Sequence, residues 1–154
     1  MHRCFVVLCT VTFFLSSCSS SQVDIDAEKK AIRATWDAIS QAFVSKDWVQ
    51  YSSLFDQGAD LQMVHPVQRE WISGFEDFQA RYEPLITAEG EWKFETTRFD
   101  ANIGPGARVA WAMIEISFDP AYGDPITNWE LVVFKKNEGQ WRVTSAMAAS
   151  LPSL

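Results

Sequence analysis

ITNWELVVFKKNEGQWRVTSAMAAS, residues 126–150, holds two runs of β-forming residues around a polar tip, KKNEG at 135–139. Asn and Gly at such a tip supply the positive φ that a tight reversal needs. The stretch therefore predicts a β-hairpin with a loop of about three to five residues. Side chains alternate between the two faces of a strand. Strict alternation places Thr127, Trp129, Leu131 and Val133 on one face of the first arm. It places Trp141, Val143, Ser145, Met147 and Ala149 on one face of the second, and Glu130 outside. Two strands this apolar need a second layer against them.

The preceding sequence supplies that layer. Residues 24–45 carry Ile25, Ile32, Trp36, Ile39 and Phe43 at helical steps, with Asp24 or Asp26 to cap the start and Glu28 in the first turn. Asp47 opens a shorter helix with Trp48, Tyr51 and Phe55 on one side. Residues 59–65 alternate as a strand stopped by Pro66. Ser73-Gly74-Phe75-Glu76 reads as a capping box with Ser73 at the N-cap. It opens a third helix whose Phe75, Phe78 and Tyr82 face inward and whose end is marked by Pro84.

From Glu91 the period changes to two, with Trp92, Phe94, Thr96, Arg98 and Asp100 on one face. Residues 102–106 form a turn. Residues 108–118 form a strand with a wholly apolar even face, Ala110, Ala112, Ile114, Ile116 and Phe118. Its odd face carries Val109, Trp111, Met113, Glu115 and Ser117. Helices first and strands last predict an α+β fold, with the helices on one side of the sheet.

At 154 residues the chain is long enough for one domain with its own core. Aromatics are 14% of it, so either the interior is bulky or a pocket is aromatic. A net charge of −7 without a Lys/Arg cluster argues against a nucleic-acid partner. After Arg3, residues 4–15 form an apolar run of about a dozen, short of the roughly 20 a spanning helix needs. LSSC at 15–18 then resembles a bacterial lipobox.

That resemblance divides the chain into a signal peptide (1–17), a lipidated Cys18 with a short tether (18–23) and a folded domain (24–154). An ordinary signal peptide followed by a coincidental Cys is the alternative. Cys4 and Cys9 depart with the signal peptide, which leaves no disulfide framework. Lipoproteins of this kind carry several acyl chains, palmitate among them, enough for stable anchoring. Ser19 resembles the residue found after the Cys in lipoproteins sent to the outer membrane. The expected location is the cell envelope, on the periplasmic side of that membrane.

Over about residues 25–150 the chain resembles the SnoaL-like branch of the nuclear transport factor 2-like superfamily. The features that carry this are the Trp36 helix, the Lys46-Asp47 step, Leu54-Phe55, the Ser73-Gly74 helix start, Val109-Ala110-Trp111 and Gly139-Gln140-Trp141-Arg142-Val143. The resemblance implies a cone: three N-terminal helices packed into a strongly curved antiparallel sheet, with a pocket inside. Members include cyclases, isomerases, dehydratases and non-catalytic modules that bind ligands or dimerise. Many carry His-x-His-x-Ser after the last-strand Trp, facing the cavity. Here those positions are Ser145, Met147 and Ala149, which points toward binding rather than catalysis.

Trp36, Trp71, Tyr82, Trp111, Trp129 and Met147 are the candidate pocket wall, or else plain core. His65 is either a proton carrier or a strand-end His hydrogen-bonded near Pro66. Glu115 is either a pocket acid of raised pKa or a residue of the solvated face. Arg98 and Asp100 form either a buried or an exposed pair. No metal-ligand spacing and no nucleophile elbow is present, and no cofactor is expected. The function expected is a membrane-anchored domain that binds a small apolar or amphipathic molecule. An isomerase-, dehydratase- or cyclase-type enzyme using His65 or Glu115 is the first alternative. A homodimer through the sheet face is the second.

Overall fold

In the computed structural model, residues 23–64, 70–119 and 126–150 are described. Helix α1 spans Ile25–Ser45. Its N-cap, Asp24, accepts from the Ala27 N–H at 3.0 Å, which satisfies one of the donors a helix start leaves open. Ile32, Trp36, Ile39 and Ala42 are its buried stripe. Helix α2 spans Trp48–Ser53, and its cap, Asp47, accepts from Gln50 N–H at 2.9 Å. Strands β1 (Gln62–Val64) and β2 (Trp71–Ser73) follow, then α3 (Phe75–Thr87). Strand β3 (Lys93–Ile103) turns through a short 3-10 segment, Pro105–Ala107, into β4 (Val109–Asp119). The hairpin is β5 (Ile126–Asn137) and β6 (Gln140–Ser150).

The α+β class and the three helices are as expected, and four details differ. Ser73 belongs to β2, a strand not expected from the sequence, and the α3 N-cap is Gly74 with no side-chain cap bond. Gly74 sits at φ 83, ψ 164, a region open in practice only to glycine. Helix α3 runs on past Pro84 to Thr87, because proline's fixed φ is itself helical and what is lost is its N–H bond. The hairpin tip is two residues, Glu138 at φ 51 and Gly139 at φ 82, the double positive φ that matches the twist of the flanking strands.

The sheet has six strands in the order β2-β1-β6-β5-β4-β3. Its pairs are antiparallel except β1 with β6, which is parallel. Two strands carry an extra residue. On β3, Thr97 is skipped between the pairs Thr96–Ile116 and Arg98–Glu115. On β6, Thr144 is skipped between Val143–Phe134 and Ser145–Val133. Each bulge bends its strand, which helps the sheet curve around the helices. Each also reverses which residues face inward. Trp141 and Val143 are buried on β6, and beyond the bulge the inward residues are Ala146 and Ala148. The expected face containing Ser145, Met147 and Ala149 is therefore corrected to the outside.

The core joins α1, α2, α3 and the concave sheet face, and includes Ile32, Phe55, Phe78, Ile114, Val132 and Phe134. Glu28 ties the start of α1 to the hairpin tip. Its carboxylate accepts from Lys136 Nζ at 2.6 and 2.8 Å and from Trp141 Nε1 at 2.9 Å. The Lys136 bond, then the Trp141 bond, pull its carboxyl below the usual range. No described helix is long and apolar enough to cross a membrane.

Candidate functional site

Helices and sheet do not meet everywhere. Between them lies a cavity of about 340 Å³. From α1 it takes Trp36, Ile39, Ser40 and Phe43, and from α3 it takes Tyr82 and Leu85. Tyr51 and Phe55 line the side near α2, and Met63 and Val64 come from β1. The sheet contributes Phe94, Ile116 and Phe118, then Ile126, Asn128, Glu130 and Val132 from β5, and Val143, Ala146 and Ala148 from β6. Trp92, just before β3, lines one end.

Aromatic rings hold one another in place around this space. Phe43 meets Trp92 edge-on at 5.9 Å and Phe118 edge-on at 5.7 Å, and Trp92 stacks on Phe118 at 5.2 Å. Such ring pairs add to the burial they already gain. Trp36 is fixed by its Nε1–H, which donates to Thr96 Oγ1 at 2.9 Å.

The polar groups are few. Glu130 is the one carboxylate among the described wall residues, which include no Lys, Arg or His. Burial pushes its carboxyl up to about 7, with no hydrogen bond or cation to offset it. Burial, aided by the charges of Tyr82 and Glu130, holds the Tyr51 phenol well above its ordinary range. Burial, aided by Glu130 and opposed by Arg81, raises Tyr82. Both tyrosines thus stay neutral hydroxyls. Two further wall atoms, Trp92 Nε1 and Asn128 Oδ1, are buried without a hydrogen-bond partner. Buried polar atoms are nearly always paired, so orphans at a cavity wall are informative.

Of the expected pocket residues, Trp36 and Tyr82 line this cavity. Trp111, Glu115, Trp129 and Met147 do not. All four lie on the opposite, convex face, where Trp111 is 41% and Met147 53% exposed. There Arg98 lies over the Trp129 ring at 5.7 Å and pairs with Asp100 at 2.6 Å as an exposed ion pair. Trp71 is 70% exposed, and its Nε1–H donates to Gln62 Oε1 at 2.6 Å. His65 and Cys18 lie outside the described residues. Glu115 is therefore corrected from pocket acid to outer-face residue, and Glu130, expected outside, is inside.

One signal could have found Glu130. Even residues of β4 pair with even residues of β5: Ala112 with Val132 and Ile114 with Glu130. The wholly apolar even face of β4 thus carries the even face of β5 inward with it. Among the described residues no group of three or more His, Cys, Asp or Glu gathers as a metal site would require.

The SnoaL-like domain family matches residues 32–152. No curated protein matches the chain. Among solved structures, a candidate dehydratase of the NTF2-like family from Streptomyces avermitilis superposes with a TM-score of 0.73 at 15% identity, covering 83% of this chain and 99% of its own. An NTF2-like superfamily protein from Salmonella enterica gives 0.73 at 14% identity, covering 83% and 94%. A candidate scytalone dehydratase from Novosphingobium aromaticivorans gives 0.70 at 12% identity, covering 82% and 85%. At these identities the likeness is one of fold.

Proposed function

The chain belongs to the SnoaL-like domain family, and from that premise we propose that it binds one small, apolar or amphipathic molecule inside its cone, on a domain held at a membrane by lipid on Cys18. One observation carries the binding reading: a 340 Å³ aromatic cavity whose wall keeps two buried polar atoms unpaired. An apolar space of this size with a few fixed polar groups is what a small-molecule site requires. The test is native mass spectrometry of the protein after exposure to a lipidic extract. A single bound adduct is expected on wild type, and a much weaker one on Ala148→Phe, whose ring narrows the cavity. An equal adduct on both would sink the reading.

A proton-transfer enzyme of the isomerase or dehydratase kind is the second reading. The position of Glu130 favours it, since a carboxyl pushed up to about 7 in an apolar pocket suits proton transfer. Two of the similar structures are candidate dehydratases. In this reading Glu130 takes the place first given to Glu115. A homodimer through the sheet face rests on a separate feature, the exposed Trp111, Met113 and Met147 of the convex side. A second copy is the partner that offers a matching apolar face. The same spectra would read it as a dimer mass, and a monomer alone would reject it.

A further inference from the structure

We propose that the molecule this cavity takes is a protonated amine on an apolar body, its ammonium seated between Glu130 and Asn128. This rests on the cavity being a binding site, and goes on to name the chemistry it selects. The two residues are two apart on the inner face of β5, so their side chains stand side by side, about 7 Å apart at their roots. Both present acceptors. Asn128 Oδ1 is buried and unpaired, and nothing offsets the burial of the Glu130 carboxyl. Two neighbouring acceptors in an apolar space call for a donor with more than one N–H, and an ammonium supplies it.

Charge gives the same answer. No Lys, Arg or His of the described wall pairs with Glu130, so its charge is met either by a proton or by a cation that arrives with the ligand. The facing groups from the helices are the Tyr51 and Tyr82 phenols, both held neutral. The rings of Trp36, Phe43, Tyr51, Trp92 and Phe118 line much of the rest of the space. Ring faces attract cations, most strongly where water is excluded. A net charge of −7 draws cations toward the protein. A carboxylate ligand would meet ionised Glu130 as a like charge and a neutral one would leave it to take up a proton, whereas an ammonium lets it stay ionised. Trp92 Nε1, the remaining orphan, is a donor and accommodates an oxygen on the ligand body.

The test is calorimetric titration of the purified protein with three isosteres: tryptamine, its neutral alcohol tryptophol, and indole-acetate. Tryptamine is expected to bind at least about tenfold more tightly than tryptophol, with indole-acetate weakest. Glu130→Gln, nearly the same shape, should reduce that preference to about twofold or less, with tryptamine losing more affinity than tryptophol. Moving from about pH 8 to about pH 5 should weaken tryptamine and spare tryptophol, because Glu130 takes up a proton. Tryptophol binding as tightly as tryptamine, or an amine preference that survives in Glu130→Gln, overturns the proposal and leaves the cavity reading standing. Failure of all three to bind overturns the cavity reading, and this proposal with it.

Discussion

Glu130 and Glu28 show how one residue type takes opposite roles in one domain. Glu28 is held ionised by Lys136 and Trp141, so its stabilisation is present above the ordinary carboxylate range and lost as pH falls through its lowered pKa. Glu130 runs the other way. Its folded pKa of about 7 lies above the ordinary 4.5, so the folded state prefers the proton. Its contribution is fully favourable below about 4.5 and is lost as pH rises through about 7. Glu130→Gln should therefore be more stable than wild type at about pH 8, by about 3 kcal/mol, and equal to it near pH 4. Urea unfolding at the two pH values measures this, and equal stability at both would contradict it. Neither environment was legible in the sequence. Glu28 depends on a partner more than a hundred residues away. Glu130 depends on which face of β5 is concave.

At the scale of elements, most of the fold could be read and the sidedness of the sheet could not. The helix stripes, the even face of β4 and the hairpin all follow from period and turn residues. Two single-residue bulges, at Thr97 and Thr144, break the alternation midway along β3 and β6. Period-two reasoning carried Trp141 and Val143 through to Met147 as one set, and one inserted residue puts them on opposite faces. On β5 both faces are rich in large apolar residues, so composition alone does not choose between them. The short strands β1 and β2 have only three residues each, too few for a period to show. The Ser73 signal at the start of α3 was displaced for a backbone reason, the conformation of Gly74. Gly74→Ala should cost roughly 1–3 kcal/mol, read as a lower urea midpoint with an unchanged slope. No change in midpoint would show that the residue tolerates an ordinary conformation.

At the scale of the whole molecule, curvature links sequence to use. A sheet bent by its bulges encloses a space that the helices roof but do not fill, and small Ala146 and Ala148 leave room at the hairpin wall. Of the residues first expected to line that space, Trp111 and Met147 instead make the outer surface apolar, and Trp129 lies on that face under Arg98. The two faces of one sheet thus serve the ligand and the partner readings separately. The tether reading belongs to this scale as well. Cys18→Ala should release the protein from membrane fractions, and unchanged membrane association would remove the lipid anchor.

The claim on which the rest depends is that β5 turns Glu130 into the apolar cavity. Titrating its carboxyl carbon by NMR, with the resonance assigned by its loss in Glu130→Gln, tests that directly. The predicted midpoint is about 7. A midpoint at the ordinary 4.5 would place the carboxyl in water and contradict the account.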